Sequence, residues 1–231
     1  MKIISWNCNG KFREKFKEII KEDGDIYVIS ECENPAESKS EEYKEFAGDN
    51  YAWIGDIHYK GLGIFVKEDI KMEKLLITNE VFKNFILLKI NDSFNLLGVC
   101  AMPPYVEMIH NYFDANENIF DENLIMCGDF NSNVIFNNRH KTKDDKGNPK
   151  NQTNLNIKLN NKGLYSAYHE LNNEELGKET NYTFFKYRHL NQPFHIDYLY
   201  ARKDRISEFK ILDHWKWISL SDHLPLSFEF D

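Results

Sequence analysis

The chain has 231 residues, 42% apolar and 29% charged, with a formal net charge of −8. That length supports one sizeable core, and the composition is that of a globular protein rather than a disordered or low-complexity one. No apolar run approaches the roughly 20 residues of a membrane helix, and the N-terminus lacks the apolar stretch of a secretory leader, so a cytoplasmic location with no membrane partner is expected.

Lys2 to Trp6 reads as a short strand. Gly10 leads into an amphipathic helix, with Phe12, Phe16, Ile19 and Ile20 at helical spacing. The apolar run IYVIS then reads as a buried strand ending at Glu31. Further strands are expected at Tyr51 to Ile54, Leu62 to Val66, Phe85 to Ile90 and Phe94 to Ala101, with Gly61 and Gly63 bracketing a close turn. Pro103-Pro104 stops a strand, and a helix is expected from Val106 to Phe120. Leu124 to Cys127 is another buried strand. The polar segments Asn137 to Thr153 and Glu170 to Glu179 read as loops on either side of a helix from Asn154 to Asn161. Strands are expected again at Tyr182 to Tyr187, Ile196 to Ala201, Ile206 to Leu212 and Leu224 to Phe230. Strands outnumber helices, and there is no repeat or linker. The expected architecture is a single α/β domain over residues 1–231, a four-layered sandwich of two mixed β-sheets packed face to face with helices outside. Cys8, Cys32, Cys100 and Cys127 form no CxxC pair and read as buried thiols.

Polar residues recur where the apolar strands end. Asn7 and Asn9 follow IISW, Glu31 follows IYVIS, and Asp129 and Asn131 follow LIMCG. Asp197 lies in PFHIDYLY, and Asp222 and His223 precede LPLSFEF. Strand ends are where layered α/β proteins assemble sites on a rigid frame. Carboxylate and amide oxygens gathered there suit Mg²⁺ or Mn²⁺, and an acidic chain suits such a cluster better than it suits non-specific grip on long duplexes. Taken singly, each segment has a plainer account. GDFN could be a β-turn, SDH a turn with a surface histidine, Asn7 a helix cap, and Glu31 a solvated charge beside Glu33.

Together and in this order, SWNCNG, DIYVISECE, HYKGLGIFV, LIMCGDFN, YTFFKYRHLNQPFHIDYLY and SDHLPLSFEF resemble the exonuclease III, apurinic endonuclease and deoxyribonuclease I superfamily over nearly the whole chain. The resemblance implies metal-dependent phosphodiester hydrolysis, with Mg²⁺ or Mn²⁺ at Glu31, aided by Asn9 and Asp222. It implies catalytic roles for Asn7, Asp129, Asn131, Asp197 and His223, with Asp197 orienting His223. Either Asp129 or His223 then serves as the base. Two positions depart from the pattern. Asn9 stands where the apurinic endonucleases usually carry Asp, and Met102 occupies the place of a phosphate-holding Tyr or His, with Tyr105 close by.

The expected substrate is nucleic acid, DNA before RNA, acted on by a monomer. Lys11, Arg13 and Lys15, then Arg139, His140, Lys141 and Lys143, then Lys186, Arg188 and His189 around Tyr187 could touch a backbone and stack a base. Taken singly, each cluster reads better as solvated surface charge balancing a Glu-rich chain. A small phosphorylated molecule such as a nucleotide or inositol phosphate is the alternative substrate, and a non-catalytic binding module is a third reading.

Overall fold

A computed structural model of the chain describes residues 1–75 and 82–230. The described chain contains two six-stranded sheets. The first runs, in spatial order, Glu208–Ile211, Leu226–Glu229, Lys2–Asn7, Ile26–Cys32, Lys60–Val66 and Tyr51–Ile57. The second runs Met72–Lys74, Phe85–Ile90, Phe94–Cys100, Leu124–Asp129, Asp197–Arg202 and Leu164–Ser166. Each sheet is antiparallel except for one parallel pair, Lys2–Asn7 with Ile26–Cys32 and Phe94–Cys100 with Leu124–Asp129.

Alternation along the strands builds the layers. Ile3, Val28 and Ile64 on the first sheet meet Leu88, Leu96 and Ile125 on the second, in one core between the sheets. Their strand neighbours point the other way, as a period of two requires. Ile4, Trp6 and Ile29 pack outward under the helices Phe12–Ile19 and Glu41–Ala47. Leu87, Leu97 and Met126 pack outward under Val106–Ala115 and Gln152–Asn161. Strands buried on both faces read as continuous apolar runs for this reason. The four-layered sandwich expected from the sequence is the observed fold, and the four cysteines are free and buried. No helix among the described residues is long and apolar enough to cross a membrane.

Several boundaries differ from expectation. Gly61 and Gly63 do not bracket a turn; both lie inside the strand Lys60–Val66. A Cβ on Gly61 would sit 2.4 Å from the Ile54 carbonyl oxygen and from the Trp53 ring, so the glycine admits the tryptophan. The helix from Val106 stops at Ala115 rather than Phe120, and a short 3₁₀ turn, Glu117–Ile119, follows. The stretch Glu170 to Glu179 is not all solvated loop: it begins within the helix Ala167–Asn172 and ends at Glu179, which is buried. Tyr182 to Tyr187 contributes only Phe184–Phe185, paired with Pro193–Phe194 in a small separate hairpin. The helix Glu41–Ala47 was not expected, although Ser40 caps it through Tyr43 N and its buried face carries Tyr43 and Ala47.

The topology brings the polar strand ends to one rim. Asn7 and Glu31 lie at or near the C-terminal ends of the first sheet's parallel pair, and Asp129 closes one strand of the second sheet's pair. Asp197 opens the antiparallel neighbour of that strand and pairs with Asp129 in register. His223 precedes Leu226–Glu229, the antiparallel neighbour of Lys2–Asn7.

Candidate active site

Gly128 lies inside the strand Leu124–Asp129, one residue before its end, and lets that strand lie close against Phe94–Cys100. Its φ is +141°, and a Cβ there would lie 1.9 Å from the Val99 carbonyl oxygen. The backbone can pass only without a side chain. Asp129 follows and is almost wholly buried. Its Oδ2 accepts from Asn7 Nδ2 at 2.9 Å and from Asn131 Nδ2 at 2.8 Å. Its Oδ1 accepts from the Asn131 backbone N–H at 2.8 Å. The Asn131 amide also donates to the Ala101 carbonyl at 3.0 Å. Two amides, one from the strand Lys2–Asn7 and one from the segment just after Leu124–Asp129, therefore fix the carboxylate in one orientation.

His223 forms the second half. Its Nδ1 lies 2.9 Å from Asp197 Oδ2 and 3.1 Å from Oδ1. Thr183 Oγ1 donates to Asp197 Oδ2 at 2.6 Å and accepts from the backbone N–H of Ile196 and Asp197. The Trp6 indole donates to the His223 carbonyl, and Ser221 Oγ both donates to the Asn7 carbonyl and accepts from the His223 backbone N–H. Ser221 thus ties the histidine turn to the asparagine strand. One ligand atom each from Asp129, Asp197 and His223 lie within 4.8 Å of one another, and all three side chains are buried. Among the described residues this is the group of His, Cys, Asp or Glu close enough to share an ion; Glu31 and Asp222 are not part of it.

The residues expected at a metal lie alongside. Glu31 sits at a register shift between Ser30 and Cys32, with φ +63°, so a bulge turns it out of the pleat. The Lys60 ammonium lies 3.2 Å from its Oε1. Asn9 Nδ2 donates to Asp222 Oδ1 at 2.8 Å, and the Asn9 backbone N–H donates to Asn7 Oδ1 at 3.0 Å. Burial, then the Asp129 and Glu31 carboxylates, push the Cys100 thiol up, so both carboxylates act on one buried sulfur. The donors on offer are carboxylate and amide oxygens, which fit a hard divalent cation.

Charge separates the two halves. Burial raises the Asp129 carboxyl to about 7; Asp197 adds to the rise, and His223 opposes it. Burial alone would lower His223, but Asp197 and Asp129 lift it to about 9. The imidazole is the group kept protonated, and the carboxylate is the group poised near neutrality.

Of the residues expected at the substrate, Tyr105 and Lys186 line a cavity of about 540 Å³ that also reaches Asn131. Arg139 and His140 line it too. Arg188 does not face it: its guanidinium donates to the carbonyls of Ser219 at 2.9 Å and Leu220 at 3.3 Å. Lys15 is likewise turned inward, to the Cys8 carbonyl at 2.6 Å, and Arg13 pairs with Glu33 and Glu14. Lys15 and Arg188 brace the turns that carry Asn9 and Asp222. Sequence reasoning assigned no role to Thr183, Ser221 or Lys60. The first two stand inside the quoted segments YTFF and SDH, where a buried hydroxyl beside a strand-end carboxylate or histidine was the available signal. Lys60 had none.

The model of the endonuclease/exonuclease/phosphatase family matches residues 4–223. No curated protein matches the sequence. Among solved structures, an apurinic endonuclease from Archaeoglobus fulgidus superposes with a TM-score of 0.72 at 18% identity, covering 100% of this chain and 99% of that one. A 3′ phosphatase from Neisseria bound to a product DNA hairpin gives 0.70 at 18% identity, with 100% and 99% covered. A 3′–5′ exonuclease from Neisseria meningitidis gives 0.67 at 17% identity, with 100% of each covered.

Proposed function

Since the chain belongs to the endonuclease/exonuclease/phosphatase family, we propose that it is a phosphoester hydrolase whose substrate is nucleic acid and whose cofactor is Mg²⁺ or Mn²⁺. What carries the reading is the pairing of a poised carboxylate with a protonated imidazole at one rim. Asp129 is held by the amides of Asn7 and Asn131, and His223 is held by Asp197.

A phosphodiester repels nucleophiles through its own charge, and hydrolysis must neutralise that charge and activate water. The His223 imidazolium donates to a non-bridging phosphate oxygen. Asp197 and Thr183 hold its ring in place. Asp129 takes the proton of the attacking water as its oxygen bonds to phosphorus, for which a pKa near neutrality is suited; the P–O bond to the leaving group breaks, and the leaving oxygen takes a proton from solvent. Asn7 and Asn131 fix the accepting oxygen. Glu31, with Asn9 and Asp222, would hold a divalent cation, which supplies further charge neutralisation at the phosphate. Lys60 beside Glu31 and Lys186 at the cavity add cationic contacts.

The DNA-bound neighbour and the exonuclease neighbour support a nucleic-acid substrate. The test is hydrolysis of labelled single-stranded and duplex DNA and RNA with Mg²⁺ or Mn²⁺, alongside EDTA and the Asp129→Asn variant. EDTA-resistant turnover, or full activity of the variant, overturns the reading. A small phosphorylated substrate is favoured by the cavity of about 540 Å³ and the net charge of −8. Salt-insensitive cleavage of a small phosphoester with inert oligonucleotides would establish that alternative.

A further inference from the structure

Aromatic rings lead away from the catalytic histidine in a continuous run. The Phe184 ring lies 4.5 Å from His223, Phe194 lies 6.2 Å from Phe184, and Phe136 lies 5.4 Å from Phe194. The Arg139 guanidinium covers Phe136 at 4.3 Å. These rings form one wall of the cavity of about 540 Å³, which lies within the roughly 300–1,000 Å³ typical of small-molecule sites. A bare sugar phosphate would leave most of that space and most of that wall uncovered. Flat π-faces beside a guanidinium suit a stacked heterocycle.

The lining of the same cavity includes a carboxylate on a buried residue. Glu107 is 8% exposed. Its nearest ionisable neighbour is His140, whose Nδ1 lies 3.4 Å from Glu107 Oε1. Among the described residues no protein group donates a regular hydrogen bond to it. A carboxylate partly withdrawn from water, whose oxygens stay reachable, is stabilised by donors that meet it. Glu107 and His140 both line the cavity, so a ligand's N–H groups can reach that carboxylate.

We infer that the cavity receives the base of the nucleotide whose phosphodiester is cut, and that Glu107 reads the base by accepting hydrogen bonds from its edge. The inference rests on the nuclease reading above. Carboxylate chemistry ranks the bases. Guanine presents adjacent imino and amino donors and can meet both oxygens at once. Thymine offers one imino donor flanked by carbonyl oxygens that repel the carboxylate. An abasic sugar offers nothing at that depth.

The test is calorimetric titration of the wild-type protein with dGMP, dTMP and deoxyribose 5-phosphate at one salt concentration, repeated with Glu107→Gln. The wild type is expected to bind dGMP about tenfold or more tightly than either other ligand, the size of a good bidentate contact. In Glu107→Gln the dGMP advantage is expected to fall about tenfold. Equal binding of the three ligands by the wild type, no dGMP binding at millimolar concentration, or an undiminished advantage in Glu107→Gln overturns the inference. If the variant does not fold, the wild-type titration decides alone. Mg²⁺-dependent cleavage of a labelled oligonucleotide by the same preparation separates the two readings. Cleavage without base discrimination overturns only this inference; discrimination without cleavage overturns the nuclease reading and leaves Glu107 as the base-reading group of a nucleotide-binding cavity.

Discussion

Asp129 and Asp197 are Cα partners on adjacent antiparallel strands, so two buried carboxylates face each other across one ladder. Like charges directly opposite one another destabilise a strand pair. His223 relieves the repulsion: its Nδ1 lies 2.9 Å from Asp197 Oδ2, and its charge also pulls Asp129 down against burial. The three groups behave as one electrostatic unit, and the loss of any one changes the other two.

Replacing His223 by Gln removes the cation and leaves the carboxylates unrelieved. We expect kcat to fall about 10²–10⁴-fold with a smaller change in KM, because general acid–base and charge-stabilising groups act mainly in the transition state. Asp129→Asn should give a loss of the same order, and the double variant little more than either alone, since the residues act as a unit. Initial rates on a labelled oligonucleotide at saturating Mg²⁺ measure this. Additive losses would show that the residues act independently.

The same unit sets a pH profile. Asp129, raised to about 7, must lose its proton to act as base, so kcat/KM should rise with pH toward that value. His223, raised to about 9, must keep its proton, so kcat/KM should fall as pH passes it. The result is a bell whose limbs belong to the coupled pair. Asp197→Asn removes the largest influence lifting His223, so the alkaline limb should move to lower pH. A rate profile from pH 5 to 10 on wild type and variant decides this; an unmoved alkaline limb would assign it to another group.

The site's carboxylates and histidine were legible in the sequence because each stands at an edge of an apolar run: Glu31 and Asp129 where one stops, Asp197 and His223 where one begins. IYVIS, LIMCG and IISW are buried on both faces, so the first polar residue after each marks a strand end. What holds those residues was not legible. Glu179 looked like part of a solvated loop, yet it accepts at 3.0 Å from Asn133, 46 residues away in sequence. Arg188 looked like a phosphate contact, yet its guanidinium meets carbonyls 31 and 32 residues away. Local composition shows charge, and only the fold shows which charges are already partnered.

The buried network behind the site should make stability sensitive to acid. Burial lowers His195 to about 4, below the roughly 6.5 of a free imidazole. It stays neutral in the fold, so its contribution is full above about pH 6.5 and is lost as pH falls toward 4. Burial opposes the charge on Glu179, but hydrogen bonds from His169 and the Gly177 N–H bring it to about 2. Its contribution is present above about pH 4.5 and is lost as pH falls toward 2. Denaturant melts from pH 8 to 3 should show stability declining in two stages. The upper stage is worth about 3 kcal/mol for a shift of this size; the lower, from a partly screened group, is smaller and only its onset falls within this range. Glu179→Gln should be destabilised at neutral pH and should lack the lower stage; an unchanged acid limb would place that stage elsewhere.

Two glycines of the site segments should respond oppositely to alanine. Gly10 has φ +70°, with nothing within 4 Å of an added Cβ. It lies between Asn9 and Lys11, which have φ of +53° and +54° without being glycine. The turn already accommodates side chains, so Gly10→Ala should cost about 1 kcal/mol, the left-handed penalty alone. Gly128 has φ +141°, and its Cβ would meet the Val99 carbonyl oxygen at 1.9 Å, inside the parallel pairing of Phe94–Cys100 with Leu124–Asp129. Backbone cannot rotate aside as a side chain can, so Gly128→Ala must open that ladder or displace Asp129. We expect a loss of about 3 kcal/mol or more, with activity falling even where the variant remains folded. Urea melts of the two variants measure the contrast. Near-equal losses would mean that the strand before Asp129 relaxes more easily than its contacts imply.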